Sequence, residues 1–117
     1  MRILVVDDAE AMRFLVSRWL GSLGHEAVAV ASPADVGPRL EESEFDAVFS
    51  DVAMPDGSGW DVLALVRDRR PDLPVVIMTG WNDGAARQGP RPPDAILEKP
   101  FTIDDVRAVL DRVVRRT

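Results

Sequence analysis

The sequence predicts an α/β fold in which a parallel sheet is covered by helices on both faces. Two observations indicate this fold. Short apolar runs of strand length alternate with segments of helical periodicity along the whole chain. The runs are almost continuously apolar, which is typical of strands buried on both faces. At 117 residues one domain is expected, so we predict that residues 1–117 form a single domain.

Five apolar runs are the predicted strands. They cover residues 3–6, 27–30, 47–49, 75–78 and 95–97. Because helical segments separate them, neighbouring strands are expected to be parallel and joined by crossover connections. In such sheets ligands bind beyond the carboxyl ends of the strands, at the point where the strand order reverses. The sequence therefore predicts a functional site at that edge.

The first two helices have recognisable boundaries. An apolar stripe at helical spacing defines the first helix and consists of Met12, Leu15, Val16, Trp19, Leu20 and Leu23. Gly24 stands where a C-terminal cap is expected. The second helix is expected to begin at Ser32 and Pro33, a cap followed by proline at the first helical position. Gly37 and Pro38 follow, so this helix should be short or kinked.

The remaining helices differ in the strength of their signals. Ser58 is the predicted cap of a third helix that runs to about residue 70, and Thr102 is the predicted cap of the last helix. Asp104 and Asp105 suit the positive end of that last helix. Between the third helix and the last helix, residues 80–93 contain three glycines and three prolines. The fourth helix is therefore expected to be short or irregular and confined to residues 82–88.

The composition excludes several classes of function. Twenty acidic residues outnumber 14 basic ones, cysteine is absent, and His25 is the only histidine. These counts exclude disulfides, thiolate nucleophiles, cysteine-based zinc sites and a histidine-rich metal site. The net charge of -6 argues against binding to nucleic acid or an anionic membrane. No apolar run is long enough to span a bilayer and no targeting segment is recognisable, so a cytoplasmic domain is expected.

Polar residues follow four of the five predicted strands. Asp7 and Asp8 follow the first, Asp51 the third, Thr79 the fourth and Lys99 the fifth. Each has an ordinary explanation by itself, such as Asp8 capping the first helix. The parallel sheet gathers all five at one edge, however, and unrelated caps and turns would not produce this set. A divalent cation would relieve the repulsion among three carboxylates, and oxygen ligands favour Mg²⁺.

This set of residues suits phosphoryl transfer. A metal-bound carboxylate can act as a nucleophile toward phosphorus and form an acyl phosphate. The transferring group carries negative charge, for which Lys99 and the Thr79 hydroxyl are suitable hydrogen-bond donors. No glycine-rich phosphate loop is present, so the phosphoryl donor need not be ATP.

The sequence resembles the receiver domain of two-component response regulators over essentially its whole length. The most specific matching segments are residues 51–59, 75–80 and 99–101, together with 3–8. The resemblance implies a doubly wound (βα)5 flavodoxin-like fold with a five-stranded parallel sheet of order 2-1-3-4-5. It also implies a signalling module that catalyses only its own phosphorylation and dephosphorylation, with a histidine kinase or histidine phosphotransfer protein as partner.

The resemblance assigns roles to the acidic residues. Asp51 would accept the phosphoryl group from a phosphohistidine. Asp8 and Asp51 would ligate Mg²⁺, or Mn²⁺, directly, and the backbone carbonyl of Ala53 would add a third ligand. Asp7 would act on the ion largely through a water molecule.

The resemblance also assigns roles to the other strand ends. Thr79 would turn toward the phosphoryl group and Lys99 would pair with it. The peptide bond between Lys99 and Pro100 would be cis. The kinase and the output that the domain controls are not identified by the sequence.

Three features depart from the family pattern. Most receivers carry Tyr or Phe three residues before the lysine, whereas this chain has Ile96, which is expected to pack in the core. Trp81, two residues after Thr79, and Ala53, two residues after Asp51, would overlook the path of hydrolytic water, so Trp81 either shields the phosphoryl group or packs on its loop. The irregular fourth helix predicts a mobile face and an output that does not use a standard helix-four dimer.

Two other functions share features with this sequence. One is a receiver-like docking module that is never phosphorylated. The complete set of acids, Thr79 and Lys99 argues against it, whereas the departures at residue 96 and at the fourth helix leave it open. The other is an aspartyl phosphohydrolase of the haloacid-dehalogenase type. That family requires an Asp-x-Asp pattern and a cap over the substrate, whereas Asp7 and Asp8 are adjacent and no residues remain for a cap.

Overall fold

The computed structural model describes residues 1–80 and 92–114. Its main strands are β1 (Arg2–Val6), β2 (Glu26–Val30), β3 (Ala47–Asp51), β4 (Val75–Thr79) and β5 (Ala95–Glu98). Its helices are α1 (Glu10–Ser22), α2 (Val36–Glu42), α3 (Gly59–Arg69) and α4 (Ile103–Val114). A 3-10 turn, Pro33–Asp35, precedes α2, and a short antiparallel pair, Ala53–Met54 with Gly57–Ser58, precedes α3.

The main strands form one parallel sheet in the order β2-β1-β3-β4-β5. The predicted doubly wound, flavodoxin-like fold is confirmed. Every residue of β3 and β4 is buried, which explains why their sequence is almost continuously apolar. The strand order reverses between β1 and β3, so the crevice for a ligand lies beyond the carboxyl ends of these two strands.

Alternate residues of the strands pack on opposite faces of the sheet. One face packs against α1 and α4 and includes Ile3, Val5, Phe49, Val76, Met78, Val106 and Leu110. The other packs against α2 and α3 and includes Leu4, Val6, Val36, Val48, Val62, Val66 and Ile77. Burial of each such side chain stabilises the fold by about 1.5–3 kcal/mol. These two layers hold the strand ends in fixed relative positions.

Three strands extend further toward their carboxyl ends than the apolar runs predict. Asp51 is the last residue of β3 and is paired with Met78 of β4, and Thr79 is paired with Glu98 of β5. Their backbone hydrogen bonds to neighbouring strands continue where the side chains become polar. Asp51 and Thr79 therefore lie in the sheet itself, which is more rigid than a loop, and Asp7 and Lys99 directly follow their strands.

Side chains cap three helical segments at the predicted positions. Ser58 and Asp61 bond reciprocally at the start of α3, at 3.3 and 2.9 Å. Thr102 and Asp105 do the same before α4, at 3.2 and 2.8 Å. The hydroxyl of Ser32 accepts a hydrogen bond from the amide of residue 34. These bonds satisfy amide groups that have no partner inside the helix.

Two predictions fall outside the described residues. The short fourth helix at residues 82–88, with the mobile face expected there, is one, and Trp81 is the other. Among the helices in residues 1–80 and 92–114, none is long and apolar enough to cross a membrane.

Gly59 allows α3 to begin against the backbone that carries Asp51. Its amide donates to the carbonyl of Val52 at 2.8 Å. A Cβ atom on Gly59 would run into the main-chain oxygen of Asp51 and lie 3.1 Å from the carbonyl carbon of that residue. The absence of a side chain at Gly59 is therefore a steric requirement of the fold.

We expect Gly59→Ala to lower the free energy of unfolding by about 1–3 kcal/mol, because the backbone near Asp51 must shift. Urea denaturation followed by circular dichroism measures this. Gly21→Ala is the matched control, since a Cβ atom there would have no neighbour within 4 Å. Because alanine has a higher helix propensity than glycine, Gly21→Ala should raise the free energy of unfolding. Equal stability changes in the two variants would contradict the steric role of Gly59.

Candidate functional site

The carboxyl ends of four strands bring the predicted polar residues to one edge of the sheet. Asp7 follows β1, Asp51 and Thr79 end β3 and β4, and Lys99 follows β5. Asp7, Asp51 and Thr79 are 0%, 6% and 5% exposed. Buried polar groups reduce stability unless they are well paired, so a buried cluster of this kind indicates a functional site.

The acidic cluster consists of Asp7, Asp8 and Asp51. Each offers a carboxylate oxygen, and the three atoms lie within 4.8 Å of one another. Oδ1 of Asp7 accepts a hydrogen bond from the amide of Ala9 at 2.9 Å, whereas its Oδ2 is buried without a hydrogen-bond partner. Burial raises the pKa of Asp7, the Ala9 amide opposes this effect, and the neighbouring Asp51 adds to it.

The acidic cluster fits a hard divalent cation. Its donor atoms are all oxygens, which suit Mg²⁺ better than softer metals. The unpartnered Oδ2 of Asp7 is a buried acceptor that a cation, or water bound to one, would satisfy. A cation would also offset the repulsion among the three carboxylates.

Lys99 is the cationic side chain of the site. Its Nζ lies 3.0 Å from Oδ1 of Asp51 and 3.8 Å from Oδ2 of Asp7. The amide of Val52 also donates to Oδ1 of Asp51, at 2.9 Å. Within the described residues both hydrogen bonds to the Asp51 carboxylate end on Oδ1, and none ends on Oδ2. Lys99 is the only lysine in the sequence.

Thr79 lies next to Lys99 across the sheet. The amide of Lys99 donates to the carbonyl of Thr79 at 2.7 Å. The Thr79 hydroxyl donates to the carbonyl of Gly80 at 3.1 Å, so in this structure it is directed to the backbone. The peptide bond between Lys99 and Pro100 is cis.

Other predicted residues lie at the margin of the site or away from it. Ala53 is exposed and begins the short antiparallel pair after Asp51. The expectation that Ile96 packs in the core is wrong, because its side chain is 41% exposed. On β5, an edge strand, Ala95 and Leu97 are directed to the core, and Ile96 and Glu98 are directed to the other face.

An apolar groove of about 390 Å³ opens beside Lys99. Its lining residues are Met12, Leu15, Trp19, Gly80, Lys99, Pro100 and Phe101. The rings of Trp19 and Phe101 meet edge to face, with their centroids 6.0 Å apart. Leu15 was expected in the buried stripe of α1 but is 38% exposed at this groove. It is at the border of the apolar stripe, where periodicity alone does not separate buried from exposed positions.

One contact at the site was not predicted from the sequence. The guanidinium of Arg13, on α1, donates from Nη1 to the main-chain oxygen of Asp7 at 2.8 Å. The sequence places Arg13 near the start of the first helix, but a bond to a main-chain oxygen leaves no signature in side-chain pattern.

Comparison with known proteins identifies the family. The model of the response regulator receiver domain matches residues 3–111. The chain belongs to this family. Receiver domains are parts of two-component systems, interact with histidine kinases and bind Mg²⁺ at an acidic pocket, which here corresponds to Asp7, Asp8 and Asp51.

Several relatives of this receiver domain are longer proteins. The response regulator protein FleR of Pseudomonas aeruginosa is 40% identical over 119 residues, covering 97% of this chain and 24% of FleR. The DNA-binding transcriptional regulator NtrC of Escherichia coli is 32% identical over 114 residues, covering 96% of this chain and 24% of NtrC. This chain therefore spans about a quarter of the length of these curated relatives.

A solved structure shows the same receiver fold. The receiver domain of NtrX from Brucella abortus superimposes with a TM-score of 0.88 and 28% identity. The match covers 98% of this chain and 99% of that domain. The agreement extends over the whole sheet and its helices, which supports the topology described above.

Proposed function

We propose that residues 1–117 form one receiver domain that acts as a phosphorylatable switch. Asp51 accepts a phosphoryl group from a histidine kinase or a histidine phosphotransfer protein, and the modified domain changes conformation to control an output. One observation carries the proposal. Oδ2 of Asp51 is without a hydrogen bond among the described residues, while Lys99 lies 3.0 Å from Oδ1 and two further carboxylates complete the acidic cluster.

The proposed step follows from the positions of these groups. Oδ2 of Asp51 forms a bond to phosphorus while the phosphorus–nitrogen bond of the phosphohistidine breaks, and the imidazole leaves with the electron pair. Lys99 then pairs with the phosphoryl oxygens, and Thr79 exchanges its bond to the Gly80 carbonyl for one to the phosphoryl group.

The acidic cluster would hold the metal ion for this step. Asp8 and Asp51 would be direct ligands, Asp7 would act largely through water, and the main-chain carbonyl of Ala53 would complete the protein ligands. When bound, Mg²⁺ would supply positive charge to the carboxylates and to the transferring phosphoryl group. The assignment of the Ala53 carbonyl as a ligand rests on the family resemblance. The assignment of the three acids rests also on the short distances between their carboxylate oxygens.

The apolar groove suits the partner that delivers the phosphoryl group. Such a partner must place its histidine over Asp51, and the groove opens beside Lys99, the ion-pair partner of Asp51. An apolar helix side chain of the kinase or phosphotransfer protein would then be buried against Leu15 and Trp19. Apolar burial near the centre of an interface is where single residues contribute most to binding.

We expect Leu15→Asp to slow phosphotransfer from a phosphorylated kinase by about tenfold, because a charge in the groove disfavours apolar docking. Labelling by acetyl phosphate, a small donor that needs no docking surface, should be unchanged. Phe14→Asp is the control, since Phe14 is 62% exposed on the same helix and does not line the groove. Equal slowing in both variants, or slower labelling by acetyl phosphate, would contradict docking at the groove.

A further inference from the structure

The guanidinium of Arg13 binds a main-chain oxygen. It is half-buried on α1, and its Nη1 donates to the main-chain oxygen of Asp7 at 2.8 Å. Among the described residues, no carboxylate lies within ion-pair distance of its guanidinium. Its hydrogen bond is therefore made to the backbone, at the point where the chain leaves β1.

The oxygen that Arg13 binds belongs to the peptide group that joins Asp7 to Asp8. The orientation of this group sets the direction in which the Asp8 side chain leaves the backbone. Asp8 is exposed, and within residues 1–80 and 92–114 its carboxylate makes no hydrogen bond. The position of the Asp8 carboxylate thus depends on the backbone that carries it.

The turn between β1 and α1 has few other supports. The cap position of α1 is Ala9, which has no side-chain hydrogen bond, so Asp8 does not cap this helix. The amide of Ala9 is bound instead by Oδ1 of Asp7 at 2.9 Å. The amide of Asp7 donates to the carbonyl of Val30 at 3.1 Å. Arg13 supplies the bond that fixes the following peptide oxygen.

We infer that Arg13 is a positioning residue of the metal site, which holds the Asp7–Asp8 peptide so that the two carboxylates stay directed at one cation. This inference rests on the proposed function, because it assumes that the acidic cluster binds Mg²⁺. Two effects of Arg13 oppose each other. Its charge reduces the attraction of the cluster for a cation, whereas its hydrogen bond pre-organises the ligands, and the inference requires the second effect to be larger.

Isothermal titration of the metal-free protein with MgCl₂ tests the inference. We expect Arg13→Met to weaken Mg²⁺ binding about tenfold, as loss of an outer partner of a metal ligand typically does. Arg18→Met is the matched control, because Arg18 lies on the same helix and stacks over Phe14 at 5.7 Å, away from Asp7. It removes the same charge and should bind Mg²⁺ at least as tightly as the unmodified protein. Arg13→Lys keeps the charge and a donor, so it should recover part of the lost affinity.

The outcomes separate the inference from the proposed function. Titrations are done at a temperature where circular dichroism shows each variant to be folded, so that a change in affinity is distinguished from a loss of stability. If Arg13→Met does not fold, Arg13→Lys is compared with Arg18→Lys in its place. If Arg13→Met binds Mg²⁺ as tightly as Arg18→Met, the inference is overturned and the proposed function stays intact. Where Arg13→Lys is used instead, binding as tight as that of Arg18→Lys has the same meaning. No Mg²⁺ binding by the unmodified protein would overturn both.

Discussion

Replacing Asp51 with Asn is expected to abolish the gain of a phosphoryl group when the protein is incubated with Mg²⁺ and acetyl phosphate. The amide has no carboxylate oxygen to attack phosphorus, and the neighbouring acids are not equivalent substitutes. Asp7 is fully buried, with one oxygen bound to the Ala9 amide, and Asp8 has no lysine partner within the described residues. Intact-mass spectrometry should show one added phosphoryl group on the unmodified protein and none on the variant.

The control for this experiment is Asp72→Asn. Asp72 is an exposed acid that precedes β4, at the opposite edge of the sheet from the site, so its variant should be labelled normally. Persistent labelling of Asp51→Asn would refute the assignment of the acceptor. Absence of labelling in the unmodified protein by both acetyl phosphate and a kinase would favour the docking module, and steady hydrolysis of a generic phosphoester would favour the phosphohydrolase.

Replacing Asp7 with Asn is expected to have opposite effects on stability and on metal binding. In the metal-free protein the free energy of unfolding should rise by about 1 kcal/mol, because a buried carboxylate becomes an uncharged amide. In the unmodified protein Oδ2 of Asp7 makes no hydrogen bond and lies 3.8 Å from Nζ of Lys99. The amide still offers an oxygen to the Ala9 N–H. Mg²⁺ affinity should fall by about tenfold or more, because the variant removes one of the three carboxylates of the acidic cluster. Urea denaturation in EDTA and calorimetric titration measure the two effects.

The pH dependence of the free energy of unfolding gives a second measure of how the Asp7 carboxylate affects stability. Because burial raises the pKa of Asp7, the folded protein holds this proton above roughly pH 4, where the unfolded chain has released it. The contribution of Asp7 to stability is complete below that pH and is lost as the pH rises through the folded-state pKa. This loss should be missing in metal-free Asp7→Asn and present in Asp72→Asn. A lower stability of Asp7→Asn at neutral pH would contradict the interpretation.

Much of the fold and the main site residues were predicted from the sequence, for identifiable reasons. Strands buried on both faces need continuous apolar runs, so all five strands were detectable, and the caps Ser58 and Thr102 bond at the predicted helix starts. A parallel sheet aligns its carboxyl ends. This rule alone predicts that Asp7, Asp51 and Lys99 lie together, as the distances from Lys99 to both acids show.

The features that the sequence did not predict depend on contacts between elements. Ile96 is apolar like its neighbours, and only its place on an edge strand leaves it exposed. Leu15 fits the helical stripe but lies where α1 meets the groove beside Lys99. The bond from Arg13 ends on a main-chain oxygen, which every residue possesses, so no pattern of side chains marks it.

The position of Lys99 makes the site chemically unique within the chain. Its ε-amino group is the only one in the sequence, and it is three-quarters buried against Asp51 and Asp7. Every other side-chain cation apart from His25 is an arginine, which amine-directed acylating reagents leave unmodified under mild conditions. In this chain, lysine acylation is therefore confined to the pocket that Asp7 and Asp51 form with Lys99. The nucleophilicity of this ε-amine, followed separately from the α-amine of Met1, would report whether Asp51 is free, metal-bound or modified, without any engineered probe.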